Sequence, residues 1–366
     1  MGIVKKQASF NTLISYAGIA LGYLNTVILF PNIFSEAQFG LTRVLLAISA
    51  IYIQISSFGT AKIALRFFPF FKNPKNYHNG FLWLLLLLAS AGFLVVTSLF
   101  LLFKDIIIEH YSDNSPLINQ YLFLVIPLSL FMLYFLVLES YFQAKMQTVL
   151  TGFLRNVLLR LLWTFAILLF YFQKIDFDRF LQIFISVYLI NSIVLLMYDF
   201  FTEKLVFQIN QKLFAKKWLK HIVTYGWFSI LSGFSLLLVT RTDIIMIGFM
   251  IDLKAAAVYS IALYFASVIF VPAQSIIRIS APLVAHHMKS KNLPEIHTLY
   301  QKTSVHNFML GGIVFILIFH LLPELYQFLP KEYHHIEYVF LFLGLSKIVD
   351  MLAGINGVII NNSKYY

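Results

Sequence analysis

The segment Tyr225–Ser280 reads YGWFSILSGFSLLLVTRTDIIMIGFMIDLKAAAVYSIALYFASVIFVPAQSIIRIS. It contains two long apolar runs, with Arg241 and Asp243 between them. A charged side chain at the centre of a membrane helix costs about 2.5 to 3.5 kcal/mol on insertion scales. A chain that keeps such a pair uses it for a solute pathway or for a lock between helices. The segment therefore indicates membrane-spanning helices that meet at a charged site.

The composition places the whole chain among membrane proteins. Of its 366 residues, 60% are hydrophobic and 12% are charged, with 39 Phe and a mean hydropathy of +0.82. A soluble domain carries about 25% charged residues, so this chain lacks the surface that water requires. The net charge of +11 comes from Lys and Arg in short loops, which favours membrane topology over nucleic-acid binding. The absence of cysteine excludes a disulfide framework and thiol chemistry.

The apolar segments predict an all-α integral membrane protein, a polytopic bundle with about ten transmembrane helices. Each segment is long enough to cross a hydrocarbon core of about 30 Å. They must be helices, because lipid offers backbone amides no hydrogen-bond partner and the segments lack the alternation of a β-barrel. The predicted spans are 9–30, 41–60, 81–103, 120–140, 154–172, 181–201, 222–247, 255–277, 305–322 and 337–358.

The loop charges predict the orientation of the bundle. Lys and Arg concentrate on the side that holds the N-terminus, and Arg155 and Arg160 are counted in one of those loops. Most acids lie on the opposite side, so the positive-inside rule places the N-terminus in the cytoplasm. Lys5 and Lys6 precede the first span without a small-residue cleavage site, which favours a retained helix over a signal peptide.

A basic linker divides the chain into two blocks. The predicted domains are an N-terminal six-helix bundle over 1–205, a cytoplasmic linker over 206–221 and the start of a C-terminal bundle over 222–366. Both blocks begin with a helix, a short polar turn and a second helix that ends in basic residues, which favours parallel repeats. The second block has four spans, so we expect it to be truncated relative to a longer protein.

Two stretches resemble a known family. One is the turn Phe34-Ser-Glu-Ala-Gln-Phe-Gly-Leu41, and the other is Arg241-Thr-Asp-Ile-Ile-Met-Ile-Gly248 followed by Ala257-Val-Tyr-Ser-Ile-Ala-Leu-Tyr264. They resemble the polysaccharide and O-antigen flippases of the multidrug/oligosaccharidyl-lipid/polysaccharide (MOP) superfamily. The resemblance implies twelve to fourteen helices in two bundles around a central cavity. It also implies a secondary transporter in the bacterial cytoplasmic membrane that flips a lipid-linked oligosaccharide for O-antigen, lipopolysaccharide or capsule synthesis.

A polyprenyl-pyrophosphate sugar needs cations for its pyrophosphate, and Arg suits this role through its bidentate fork. The candidate cavity cations are Arg43, Arg241, Arg278 and Lys347. Snorkelling to lipid headgroups is the favoured alternative for Arg43 and Arg278. For Arg241 the alternative is a gate formed with Asp243 or Asp252. A local i,i+3 pair with Asp350 is the alternative for Lys347.

The intramembrane acids are candidates for ion coupling or gating. They are Asp243, Asp350 and Glu139. Because protonation removes the burial penalty of a carboxylate, a proton gradient can bias two conformations through such a group. The favoured alternative for Glu139 is a solvated position at the inner interface, and Asp199 is expected at the interface too.

Other functional classes remain open beside the flippase. A multidrug or cation exporter of the same superfamily would favour an acidic cavity. A polyprenyl-dependent glycosyltransferase or polymerase would need a larger acidic outer loop than the sequence offers. We expect no catalytic residue, metal or cofactor, with coupling to a proton or sodium gradient as a further hypothesis. The expected partners are the lipid-linked oligosaccharide, membrane lipids and polysaccharide assembly enzymes, and not nucleic acid.

Overall fold

The computed structural model describes residues 2–73, 78, 80–112, 115–203, 216–334 and 336–363. Within these residues the chain is helical and contains no strand. Seven helices are long and apolar enough to cross a membrane, or up to nine if each of two bent pairs is one span. The predicted all-α, polytopic membrane fold is therefore confirmed. The spans are Phe10–Ile33, Glu36–Ser56, Phe81–Asp105, Pro116–Ala144, Thr148–Tyr171, Phe177–Thr202 and Leu293–Phe328, and the bent pairs are Trp218–Ser235 with Leu237–Met250 and Leu253–Ile269 with Val271–Lys289.

The chain forms two compact units, Met1–Ala257 and Val258–Tyr366. The helices of the first unit are α1 (Gly2–Tyr23), α2 (Phe30–Ile33), α3 (Glu36–Ser56), α4 (Thr60–Phe71), α5 (Phe81–Ser112), α6 (Pro116–Tyr121), α7 (Val125–Ala144), α8 (Thr148–Phe153), α9 (Leu159–Tyr171), α10 (Phe177–Glu203) and α11 (Lys216–Met250). A twelfth helix, α12 (Leu253–Ile269), begins in the first unit and continues into the second. Two segments, Leu24–Leu29 and Leu154–Leu158, are π-helical.

The turn quoted for the family resemblance forms the beginning of α3. The Ser35 hydroxyl accepts a hydrogen bond from the Gln38 amide at 3.3 Å, and the Gln38 side-chain oxygen accepts one from the Ser35 amide at 3.2 Å. This capping box satisfies two amides that the first turn of a helix otherwise leaves without partners. It fixes where α3 starts and therefore the position of Arg43 two turns later.

Helix α11 packs closely along α3 through three glycines. A Cβ atom at Gly226 would lie 2.7 Å from the carbonyl oxygen of Phe58, and one at Gly248 would lie 2.7 Å from a methyl group of Val44. Between them, a Cβ at Gly233 would overlap the side-chain amide of Gln54. Because these glycines have no side chains, α11 can approach α3 and the turn that follows it closely, as small residues allow between membrane helices.

The predicted linker lies partly outside the described residues. Residues 206–215 are not described, whereas Lys216–His221 form the first turns of α11. Helix α11 is part of the first compact unit, which ends at Ala257. The predicted division into bundles over 1–205 and 222–366 stays a prediction.

The second unit contains the end of α12 and four further helices. They are α13 (Val271–Lys289), α14 (Leu293–Leu325), α15 (Glu337–Leu352) and α16 (Asn356–Asn362). The chain bends by 41° between α12 and α13, next to Pro272, where the sequence predicts a kink. The tenth predicted span, 337–358, corresponds to α15 and the beginning of α16, which are separated at Gly354, whose φ is +57°.

Candidate functional site: an arginine cluster in the first unit

Four arginines of the first unit lie close enough to Tyr188, in the middle of α10, for their charges to act on its hydroxyl. The guanidinium carbon of Arg155 lies 5.9 Å from the ring centroid of Phe135, which lies 6.2 Å from that of Tyr188. Tyr188 is buried, with 9% of its surface exposed. The charged groups that act electrostatically on its hydroxyl are four guanidinium groups. They belong to Arg43 in α3, Arg155 in the second π-helical segment, Arg160 in α9 and Arg241 in α11. We call these four residues the arginine cluster.

The arginine cluster lies within membrane-spanning segments. Arg155 and Arg160 are on the span Thr148–Tyr171, seven and twelve residues from its beginning. At 1.5 Å per residue, these positions are about 10 and 18 Å along the helix. The Arg155 side chain is 49% exposed, and Arg241 is exposed as well. A guanidinium placed against hydrocarbon at this depth costs at least about 2.5 to 3.5 kcal/mol, so we expect water or polar groups around these exposed side chains.

The buried carboxylate of Glu139 holds Arg155 in place. Arg155 Nη2 donates a hydrogen bond to Glu139 Oε2, and Gln143 Nε2 donates to Glu139 Oε1 at 3.2 Å. Glu139 is only 4% exposed. The expectation that Glu139 is solvated is therefore wrong, because α7 turns this side chain into the bundle, where Arg155 neutralises it. Its predicted position at the inner interface stays a prediction.

Arg43 is held by aromatic rings. Its guanidinium carbon lies 4.8 Å from the ring centroid of Phe30 and 4.7 Å from that of Phe39. Both rings are fully buried, and Arg43 itself is half-buried. Cation–π attraction of this kind contributes about 0.5 to 2 kcal/mol and fixes the position of the guanidinium.

Asn25, in the first π-helical segment, is hydrogen-bonded to the beginning of α9, directly after the second π-helical segment. Asn25 Nδ2 donates a hydrogen bond to the Arg160 carbonyl oxygen at 2.9 Å, and Thr164 Oγ1 donates to Asn25 Oδ1 at 2.7 Å. A π-helical turn shifts the following side chains around the helix axis and is frequent at functional sites. Asn25 fixes this irregular backbone and so orients the helix that carries both Arg155 and Arg160.

Aromatic side chains line the same region. The Trp163 ring stacks on Phe184 with centroids 4.6 Å apart, and its Nε1–H donates to the Phe184 carbonyl oxygen at 3.1 Å. Trp163 and Phe135 are 6.0 and 6.2 Å from the Tyr188 ring, centroid to centroid. The arginine cluster is thus bordered by a fixed aromatic wall.

A second ion pair of the first unit is fully buried. Lys145 Nζ lies 2.8 Å from Asp199 Oδ1, and the two side chains are 5% and 7% exposed. The pair joins the end of α7 to α10. Asp199 lies three residues before the end of the span Phe177–Thr202, and Lys145 directly follows the span Pro116–Ala144. The expectation that Asp199 lies at the membrane interface stays a prediction, and the structure adds that Lys145 shields its carboxylate from solvent.

The remaining predicted site residues lie on α11, α13 and α15. Lys347 Nζ lies 3.6 Å from Asp350 Oδ2 on α15, so the structure contains the local i,i+3 pair. The side chains are 27% and 58% exposed. Arg278 lies in α13, but its side chain is outside the described residues. Asp243 is exposed on α11.

Asp252 has a capping role at the start of α12. Its carboxylate accepts the Ala255 amide at 2.7 Å. A carboxylate in this position satisfies one of the amides that the first turn leaves without a partner. Its negative charge also interacts favourably with the positive end of the helix dipole. The role of Asp252 as a gate with Arg241 stays a prediction.

Sequence reasoning missed Arg155 and Arg160. Both were counted as loop cations on the inner side, although the predicted fifth span, 154–172, already contained them. Arg160 could have been recognised by its position six residues inside that span, because a cation well inside a span is a poor candidate for a loop charge. Arg155 is the second residue of the predicted span, and only the structure, in which the span begins at Thr148, places it deeper.

Comparison with known proteins supports this fold. No family model and no curated protein matches the sequence. A solved structure, described as the inward-facing conformation of a multidrug resistance MATE family transporter of the MOP superfamily, matches 97% of this chain and 83% of its own. The TM-score is 0.66 and the sequence identity is 14%. The chain is a multi-pass membrane protein, and its fold is similar to that of this MATE transporter.

Proposed function

We propose that the protein is a secondary transporter of an anionic, lipid-linked oligosaccharide. In this proposal it moves a polyprenyl-pyrophosphate-linked sugar from the inner to the outer leaflet of the bacterial cytoplasmic membrane for cell-surface polysaccharide synthesis. The observation that carries the proposal is the arginine cluster, whose members lie on spans or on a bent pair of helices long and apolar enough to cross a membrane. Glu139 neutralises Arg155, and the other three guanidinium groups add positive charge that suits a pyrophosphate and opposes a cationic drug.

The geometry of the cluster fits this substrate class. A pyrophosphate offers several oxygen pairs, and each pair can accept two parallel hydrogen bonds from one guanidinium. The aromatic wall of Trp163 and Phe135 provides flat apolar surfaces next to these cations. Rigid aromatic rings bind a bulky ligand with little loss of side-chain entropy. We infer that the arginines bind the pyrophosphate while the wall contacts the sugars.

Glu139 provides a route for ion coupling in this proposal. When the pyrophosphate binds Arg155, Glu139 competes with it for the same guanidinium. A carboxylate that loses its cation at this degree of burial carries a large desolvation penalty, and a bound proton removes that penalty. Substrate binding and proton binding are then linked through one ion pair, and each favours the other.

A drug exporter is the second candidate. It is favoured by the solved structure with the similar fold, which is a multidrug resistance transporter. Glu139, a buried acid of the first unit that could attract a cation, is already neutralised by Arg155, and the buried Asp199 is likewise paired with Lys145. A cationic drug would have to displace that guanidinium, and this makes export of cations the less favoured function.

The experiment uses a deletion of the gene and returns single variants to it. Loss of the protein should leave complete lipid-linked oligosaccharides in the inner leaflet and reduce surface polysaccharide. Return of the Arg241→Ala variant should restore less than about a tenth of the surface polysaccharide. Arg179 is exposed and lies at the beginning of the span Phe177–Thr202, so the Arg179→Ala variant should restore the polysaccharide fully. Normal glycolipid distribution with sensitivity to cationic drugs would contradict the proposal and support an exporter. Incomplete sugar units would indicate an assembly enzyme instead.

A further inference from the structure

A cavity of the first unit lies between α4 and the beginning of α11, and none of its lining residues belongs to the arginine cluster. Its volume is about 690 Å³. The basic side chains that line it are Arg66, Lys220 and His221, and its walls include the aromatic rings of Phe70, Trp218 and Tyr225. Among the described residues that line it there is no Asp or Glu. The cavity therefore combines basic groups with aromatic surface.

The aromatic walls of this cavity are packed against one another. The Trp218 ring is 5.4 Å from that of Phe70 and 5.2 Å from that of Phe71, centroid to centroid. Phe67 also lines the cavity, and its ring centroid lies 6.4 Å from that of Trp218 and 5.6 Å from that of Tyr225. Because these rings support each other, the shape of the cavity exists before any ligand binds.

Arg66 is held over one of these rings. Its guanidinium carbon lies 4.4 Å from the Tyr225 centroid, and the residue is exposed to the cavity mouth. Stacking on an aromatic ring fixes the plane of a guanidinium while its N–H groups stay available. This arrangement suits bidentate binding of a phosphate group.

Helix α4 has the features of a helix that lies in the membrane interface. It has 12 residues and follows a left-handed turn at Gly59, whose φ is +67°. Phe70 and Leu65 are exposed, at 66% and 51%, whereas Ile63 and Ala64 on the other face are fully buried. Exposed apolar groups beside Arg66 are typical of helices at the boundary between headgroups and acyl chains.

We infer that this cavity binds the phosphate headgroup of an anionic glycerophospholipid. The loops of this side of the membrane are basic, and the positive-inside rule assigns them to the cytoplasmic leaflet, where anionic lipids attract Lys and Arg. The phosphodiester binds Arg66 and Lys220, and the acyl chains lie along the exposed apolar face of α4. Aromatic rings at the headgroup level, such as Trp218, anchor this arrangement. The residues that line this cavity do not belong to the arginine cluster.

The test uses fluorescence of Trp218 in the full chain. Trp83, Trp163 and Trp227 are replaced by Phe, and the protein is placed in nanodiscs with brominated phosphatidylglycerol or brominated phosphatidylcholine, since bromine quenches a nearby indole. We expect the anionic lipid to quench Trp218 at a lower mole fraction, by roughly tenfold. Equal quenching by the two lipids would overturn the inference.

Two double variants separate a site from general surface charge. Arg66→Ala with Lys220→Ala should remove the preference for phosphatidylglycerol. Lys289→Ala with Lys302→Ala, which removes the same charge from exposed positions elsewhere, should keep it. The inference fails if both double variants lose the preference equally. Displacement of the quenching lipid by millimolar glycerol phosphate would also overturn it, because the ligand would then be a soluble anion.

A second measurement needs no tryptophan replacement. The unfolding temperature of the otherwise unmodified chain should rise when phosphatidylglycerol replaces phosphatidylcholine in the nanodiscs, because a ligand that binds the folded state stabilises it. The rise should be absent in the Arg66→Ala, Lys220→Ala variant and present in the control double variant. A rise of the same size in both variants would exclude this cavity as its cause.

Discussion

Replacement of Lys145 by Met should destabilise the first unit by about 3 to 5 kcal/mol, the range for breaking one side of a buried ion pair. The reason is that Asp199 would stay buried without its cation, since the side chains are 5% and 7% exposed and 2.8 Å apart. At an effective dielectric constant of 20, this separation corresponds to an attraction of roughly 6 kcal/mol, which the desolvation of both groups offsets in part. Lys145 also lies 5.2 and 5.1 Å from the rings of Tyr141 and Phe142, and the Met variant loses these cation–π contacts.

The assay is a double-mutant cycle on the free energy of unfolding in detergent. It compares Lys145→Met, Asp199→Leu and the double variant with the original chain. The double variant removes both charges together, so it should be more stable than either single variant, with a coupling of about 1 to 3 kcal/mol. Additive effects, or a loss below about 1 kcal/mol in each single variant, would refute the assignment of this pair as a buried link between α7 and α10.

Three further perturbations test other contacts of the fold and the site. Asn25→Leu removes both side-chain hydrogen bonds between the first π-helical segment and α9, so the free energy of unfolding should fall by about 1 to 3 kcal/mol and transport should slow. Gly226→Val places a Cβ 2.7 Å from the Phe58 carbonyl oxygen and should destabilise the chain by about 1 to 3 kcal/mol, whereas Gly312→Ala, with no atom within 4 Å of its Cβ, should be neutral in the same thermal assay. Glu139→Gln keeps the side-chain shape without the charge, and reconstituted transport should lose its dependence on a proton gradient; an unchanged dependence would exclude Glu139 as the coupling group.

The spans of this protein could be predicted because hydropathy is a local property. A window of about 20 apolar residues predicts a membrane helix regardless of what the helix contacts. The same window cannot predict where a helix is irregular, and so the π-helical segments and the bend between Trp218–Ser235 and Leu237–Met250 were not foreseen. The predicted span 337–358 has the composition of one helix, yet the chain turns at Gly354.

Burial of single charges could not be predicted, because it depends on partners from other helices. Glu139 is five residues from the end of α7, a position that equally fits solvated and buried carboxylates. What decides its environment is Arg155, which is 16 residues further along the chain and on another helix. Asp199 is similar, since its partner Lys145 precedes it by 54 residues. Only the packing of α7 against its neighbours brings these charges together.

Two members of the arginine cluster were missed because all basic residues near loops were used to predict the orientation of the bundle. The positive-inside rule assigns each Lys and Arg to its nearest loop, and this assigned Arg155 and Arg160 to the inner side. Their depth within Thr148–Tyr171 carries different information, because an intramembrane guanidinium is expensive and is retained where it binds something. Arg43 and Arg241 were noticed since their flanking runs are long and apolar. The four residues become one site only when α3, α9, α10 and α11 are folded around Tyr188.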